Sequence, residues 1–404
     1  MSAASIVRVA DSTSSSEARA TSRIGSIDLM RGIVMIIMAI DHVRDYFNPF
    51  ADPVDLSKAS AGLFLTRWIT HFCAPTFVFL AGTSAFLYAR NSGVTRGKLQ
   101  RFLVSRGLWL VLLELTFISF CWRFDFNGLN LQVIWALGWS MVCLALLLYL
   151  PLPLMLGLGA VLVFGHNLFD GWHFKDAAAH GMAWGWLLAL VHEPHFATLP
   201  SGYEVLLLYP LVPWAGVMVL GYGFGHLLQL PAPRRDRWMQ GLGLAAIALF
   251  LLLRLTNVYG DAQLWSANPR GPLYTALGLL NVSKYPPSLQ YLLMTLGPVL
   301  LLLPLLERWR GGLADRISVF GRVPFFFYLL HLPLIHLGSV IAGQLAFGYT
   351  FKLFDTQPAP PGYEPNLLRV YVVWALVILI LYPLCRWYAG YKSRHKEQWW
   401  LSYL

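Results

Sequence analysis

Residues 24–47 read IGSIDLMRGIVMIIMAIDHVRDYF. A helix of this length rises far enough, at about 1.5 Å per residue, to cross the ~30 Å hydrocarbon core of a bilayer. Its middle is apolar on every face, yet Asp28, Arg31, Asp41 and His42 are embedded in it. Each mid-membrane charge costs ~2.5–3.5 kcal/mol or more, so each calls for a partner or a function. At about 100° per residue, Arg31 and His42 differ by only ~20° around the helix while lying ~16 Å apart along it. Asp28, Arg31, Met35 and His42 therefore share one narrow stripe. Two accounts of that stripe stay open. Asp28 and Arg31 pair at i, i+3 and snorkel to the inner interface while His42 caps the outer end, or the stripe faces a cavity with a cation near the cytoplasm and an imidazole further out. Asp41 points ~100° away from His42 on an ideal helix, so Asp45 is the better-placed local carboxylate.

Hydrophobic residues form 57% of the 404-residue chain and charged residues only 12%, against roughly 25% charged in a soluble domain. A soluble enzyme, a disordered protein and a disulfide-stapled secreted domain are all excluded. Ten segments are apolar enough to span: Ile24 to Phe47, Leu63 to Ala89, Phe102 to Trp122, Leu131 to Leu150, Leu152 to Leu168, Val205 to Leu228, Trp238 to Asn257, Leu289 to Leu306, Ile317 to Gln344 and Leu367 to Trp387. The fold class expected is all-α, a polytopic integral membrane protein of about ten transmembrane helices. Residues 1–22 read as a disordered cytoplasmic tail and residues 23–404 as a single membrane-embedded domain.

The net charge of +10 does not indicate nucleic acid. Its cations fall on alternate short loops: Arg90, Arg96, Lys98 and Arg101, then Arg234, Arg235 and Arg237, then Arg308 and Arg310, then Lys392, Arg394 and Lys396. With Arg8, Arg19 and Arg23 they put both termini in the cytoplasm by the positive-inside rule. The opposite loops, around 171–204, 259–288 and 346–366, are longer, which suggests recognition outside the cell. No repeat or inverted symmetry of the transporter kind is visible. Cys73, Cys121, Cys143 and Cys385 sit in or beside apolar runs without a CxxC and read as buried apolar residues. The histidines of one outer loop, His166, His173, His180, His192 and His195, lack an HExxH spacing, and no metal site is expected.

Other ionisable residues fall inside the spans. Arg67 and His71 lie in the outer half of the second, with His71 level with His42. Glu114 lies mid-span in the third, eight residues beyond Arg106. His331 falls near the middle of the ninth, and His336 stands where it could satisfy a carbonyl freed by Pro333. In Asn281-Val282-Ser283-Lys284-Tyr285-Pro286-Pro287-Ser288 the prolines set a rigid helix start, with Lys284 either snorkelling or standing at a cavity mouth. For His71, Glu114 and His331, packing and site roles both stay open.

Arg23-Ile24, Ser26-Ile27-Asp28-Leu29-Met30-Arg31-Gly32, Met38-Ala39-Ile40-Asp41-His42, Thr70-His71-Phe72-Cys73-Ala74-Pro75, Phe79-Leu80-Ala81-Gly82, Lys284 to Leu289 and the ninth-span motif together resemble the heparan-α-glucosaminide N-acetyltransferase catalytic-domain family of bacterial membrane proteins. The opening is also similar to the wider acyltransferase-3 group, whose signature is an arginine and a histidine separated by ten residues, the spacing of Arg31 and His42. The resemblance implies a multi-pass acyltransferase of the bacterial cytoplasmic (inner) membrane. It would bind no cofactor of its own and take acetyl-CoA or another acyl-CoA as donor. Its partners would be that donor, membrane lipid, and a glycan or sugar hydroxyl or amine on the extracytoplasmic side. In the eukaryotic relatives the acetyl-accepting histidine lies in the loop after the first span. The corresponding stretch here, Arg44 to Gly62, has none, so the role passes to His42 or His71 as base or acyl carrier, with Asp45 nearby. Asp28, Arg31, Arg101, Arg106, Glu114, Lys284 and His331 complete the expected donor and substrate site. A carrier or flippase for an anionic or saccharide substrate, and a non-catalytic scaffold, are the rivals, and homodimerisation is left open. A carrier would show helices broken at mid-depth, for which the sequence offers only interruptions of the Pro333 kind.

Overall fold

The structure, a computed structural model, describes residues 25–352 and 357–403; the tail expected over residues 1–22 lies outside the described residues. Helix α1 (Gly25–Phe47) is followed by α2 (Ala61–Thr70), α3 (Cys73–Ser92), α4 (Arg96–Leu113), a π-helical turn (Glu114–Ile118) and α5 (Ser119–Arg123). Next come strand β1 (Gly128–Leu131), α6 (Val133–Leu147), α7 (Leu152–Gly165), α8 (Phe174–Ala179), α9 (Met182–Val191) and strands β2 (His195–Thr198) and β3 (Glu204–Leu207). Then follow α10 (Leu211–Leu227), α11 (Ala232–Thr256), α12 (Pro272–Leu280), α13 (Leu289–Arg308), α14 (Gly312–Arg322), α15 (Pro324–Phe347) and α16 (Leu367–Arg394).

Among the described residues, seven helical segments are long and apolar enough to cross a membrane. Leu154 and Val161 on α7, Leu252 on α11 and Leu379 on α16 are exposed apolar residues of the kind lipid covers. The protein is a multi-pass membrane protein. Helix α1 is not one of the seven, because Asp28, Arg31, Asp41, Arg44 and Asp45 interrupt it. It is instead the buried axis of the molecule, packed against α2, α3, α13, α14, α15 and α16. Two glycine pairs let backbones touch where helices cross. A Cβ on Gly32 would overlap the Ile317 carbonyl and one on Gly321 the Asp28 carbonyl, locking α1 to α14; Gly82 and Gly221 do the same for α3 and α10.

The all-α expectation needs correction. Strands β1, β3 and β2 form one small sheet in that order, parallel between β1 and β3 and antiparallel between β3 and β2. Val205, expected to open a helix, instead pairs with Leu129 in β3, and α10 starts only after Pro210. A residue before proline is pushed out of the helical region, so the helix cannot begin earlier.

Among the described residues three helices are interrupted, more than the sequence indicated. Between α2 and α3 the cause is Pro75, which has no N–H to offer the carbonyl of His71 four residues earlier; the Tyr291 hydroxyl donates to that carbonyl at 2.8 Å instead. The expected span Ile317 to Gln344 is split at Val323, ahead of Pro324 at the start of α15. In the third, the π turn at Glu114 widens the helix by one residue. Pro333, by contrast, lies inside an unbroken α15.

Candidate functional site

A cavity of about 920 Å3 runs along α1 and is lined by both Arg31 and His42. Near the N-terminal half of α1 its wall includes Ser84, Arg106, Arg322, Lys392 and Ser402; at the C-terminal end of α1 and beyond, it is reached by Asp45, Phe50 and Asp52. The two stripe residues therefore share one space, about 16 Å apart along the helix.

Arg31 is anchored rather than snorkelling. It donates to the Leu80 carbonyl at 3.0 Å and to the Ser84 hydroxyl, both on α3, and lies 3.8 Å from Asp28. Arg106 donates to the backbone carbonyl of Ser402, and Tyr403 shares a 2.8 Å hydrogen bond with Ser105. The segment after α16 thus folds back against α4 at this end of the cavity.

His42 lies within 2.6 Å of a second histidine, its Nδ1 against Nε2 of His331. Among the described residues, the other nitrogen of His331, Nδ1, meets only backbone carbonyls, those of Tyr328 at 2.7 Å and Phe327 at 3.2 Å. Carbonyls cannot donate, so His331 Nδ1 carries the proton and Nε2 accepts one. His42 Nδ1 must then be the donor, which leaves Nε2 of His42 with its lone pair. A chain of two imidazoles ending on the α15 backbone fixes the tautomer of the cavity histidine. The ring is further held edge-on to Trp122, with centroids 4.9 Å apart.

Further along α1, Asp41 is the centre of a charge cluster. Arg44 reaches it at 2.9 Å, Arg67 pairs with it directly and Lys284 stands 3.6 Å away. Arg44 also takes Asp45 at 2.7 Å. Three cations face two carboxylates, so the cluster carries a net positive charge. Lys284 and Tyr285 come from the loop ahead of α13, and Asp261 shapes that loop by accepting from Ser283 N–H at 2.9 Å and from the Ser288 hydroxyl at 2.7 Å. Burial raises the Tyr285 phenol, but the Lys284 ammonium and Arg67 guanidinium outweigh it and hold the group below its ordinary value.

Of the expected site residues, the cavity brings together Arg31, His42, Asp45, Arg106 and Lys284, and His331 stands directly behind His42. Asp45, although on the wall, is engaged by Arg44, and it is His331 that holds His42 Nδ1. Others are placed elsewhere. His71 lies off the cavity wall, 1% exposed at the α2–α3 break. Glu114 is fully buried and accepts from the Gln132 N–H at 2.8 Å, a role in holding the chain before α6. Arg101 is exposed, and Asp28 lies off the cavity wall, 3.8 Å from Arg31. His336 donates from Nδ1 to the Cys121 carbonyl at 2.8 Å, on another helix from the one Pro333 opens. Sequence reasoning missed Trp122, Gln132, Tyr285 and Tyr328 on the wall. Only the i, i+3 spacing of Asp41 and Arg44 hinted at the charge cluster.

No group of three or more potential metal ligands is gathered among the described residues. A family model described as heparan-alpha-glucosaminide N-acetyltransferase, catalytic, matches residues 23–260. No curated protein matches the chain.

Proposed function

Because the chain belongs to the heparan-alpha-glucosaminide N-acetyltransferase catalytic family, we propose that it transfers an acyl group from a cytoplasmic thioester, acetyl-CoA in the first instance, to a sugar hydroxyl or amine on the far side of the membrane. The observation that carries this is the single cavity joining Arg31 to a histidine whose free nitrogen is fixed by a second histidine. Arg31, Arg106, Arg322 and Lys392 give the first end a cationic character suited to CoA phosphates. His42 Nε2 accepts the proton of the acceptor as it attacks the thioester carbonyl, and returns it to the departing thiolate. General-base assistance of this kind supplies ~10²–10⁴-fold, and holding donor and acceptor in one cavity adds several kcal/mol.

In this reading α1, α6 and α10 join the seven long apolar helices to make ten crossings, with both termini and the basic loops in the cytoplasm. The membrane is the cytoplasmic membrane of a bacterium.

The test is purified protein in lipid nanodiscs given labelled acetyl-CoA and amino sugars or oligosaccharides. Release of CoA with label on the acceptor is expected, and His42→Ala should abolish it while leaving expression and fold intact. Full transfer by that variant would remove His42 from the mechanism. The interrupted helices also suit a carrier; acceptor crossing a vesicle wall unmodified, with no CoA released, is the outcome that favours it.

A further inference from the structure

A sugar carries several hydroxyls, each both donor and acceptor, and a site for it needs polar groups that the protein has not already used. Gln132 is such a group. It is 8% exposed and lies on the cavity wall. Its backbone N–H goes to Glu114 at 2.8 Å, its side chain makes no capping bond to α6, and among the described residues its amide has no hydrogen-bond partner. Polar groups placed so deep are nearly always paired in folded proteins. The Gln290 oxygen, also unpaired, is sealed in the interior; the Gln132 amide opens onto the cavity instead. Asp45 offers a second such group. Arg44 takes its Oδ1 at 2.7 Å, while Oδ2 has no hydrogen-bond partner among the described residues, and the side chain is 23% exposed on the same wall.

The fold puts both groups on the side of His42 that lies away from Arg31. Asp45 follows His42 by three residues on α1, about 4.5 Å further along and on the same face. Gln132 is brought there by the small sheet. The Leu208 N–H donates to the Leu131 carbonyl at 3.0 Å, so Gln132 stands beside Leu208 and Tyr209, both also on the wall. Tyr209 packs edge-on against Tyr285 with centroids 5.4 Å apart, and Lys284, next to Tyr285, stands 3.6 Å from Asp41. This run of contacts ties Gln132 to the charge cluster around Asp41, at the opposite end of the cavity from Arg31 and Arg106.

The geometry points to the Gln132 amide and Asp45 Oδ2 as the groups that bind a saccharide acceptor beside His42, through neighbouring hydroxyls of one sugar ring. This rests on the acyl-transfer reading and adds to it the kind of acceptor. A primary amide carries a carbonyl acceptor next to an N–H donor, which matches a pair of neighbouring hydroxyls, one donating and the other accepting. The carboxylate oxygen accepts from a third. Bound this way, the ring turns its reacting hydroxyl or amine toward His42 Nε2. A lone alcohol or amine leaves the amide unmatched and binds worse.

The experiment measures acetyl transfer from acetyl-CoA to methyl α-D-glucopyranoside and D-glucosamine, and to cyclohexanol and cyclohexylamine, which carry a reacting group without neighbouring hydroxyls. The wild type is expected to prefer the sugars by about tenfold or more in kcat/KM, the scale of two neutral hydrogen bonds. Gln132→Leu keeps the backbone N–H that Glu114 holds and removes both polar atoms of the side chain. It should raise KM for the sugars by about tenfold, with KM for acetyl-CoA, transfer to the cyclohexyl compounds and the thermal midpoint unchanged. A structural role would instead lower the midpoint and all transfer together. Four results overturn the proposal alone: equal use of sugars and cyclohexyl compounds by the wild type, transfer to neither while acetyl-CoA is still cleaved, an unchanged sugar KM in folded Gln132→Leu, or a raised KM for acetyl-CoA in its place. If the variant does not fold, the wild-type preference decides. A wild type that releases no CoA from any acyl-CoA overturns the transfer reading and this site with it.

Discussion

At the scale of single residues, the decisive pair is His42 and His331. His42 alone could carry its proton on either nitrogen and turn within the cavity. With His331 Nε2 as acceptor, only one tautomer is compatible with the hydrogen-bond chain. His331→Ala should therefore lower kcat by an amount within the ~10²–10⁴-fold range of base catalysis with KM for the donor unchanged. A spectroscopic check is the 15N shift of His42, which should move from one tautomer to a mixture. Asp41 is the second such residue. Asp41→Asn leaves Arg44, Arg67 and Lys284 without their shared counter-charge. Removing one partner from a buried ionic group costs about 3–5 kcal/mol, so the variant should show a clear fall in thermal midpoint.

At the scale of elements, each interruption gives the chain a different backbone course and a different partner for the carbonyls it frees. The π turn at Glu114–Ile118 inserts one residue ahead of α5, and such turns recur at functional sites. At the α2–α3 break, Tyr291→Phe strands the His71 carbonyl that Pro75 cannot serve. That change should destabilise by about 1–3 kcal/mol, read as a lower unfolding midpoint in detergent.

At the scale of the whole molecule, the cavity is the product of α1 being wrapped by six other helices. Arg106 lines its first end and is bonded there to the folded-back Ser402. If CoA phosphates enter at this end, Arg106→Ala raises KM for acetyl-CoA with little change in kcat. A titration of CoA release against donor concentration checks this.

The membrane class was legible in composition, and so were the seven helical segments that are long and apolar enough to cross a membrane among the described residues, because burial in lipid demands about 20 apolar residues and short-range backbone bonding. The stripe of Arg31 and His42 was legible too, since helical geometry is a property of spacing alone. What spacing could not supply was the partner of each group: His331 is 289 positions from His42, and Lys284 and Arg67 reach Asp41 from separate elements. Nor could it show that His71 and Glu114 serve breaks in helices, or that Val205 enters a strand. A helix's own face follows from its sequence. Which groups stand opposite that face depends on how distant segments pack, and in this protein that packing sets the proton positions of His42 and His331.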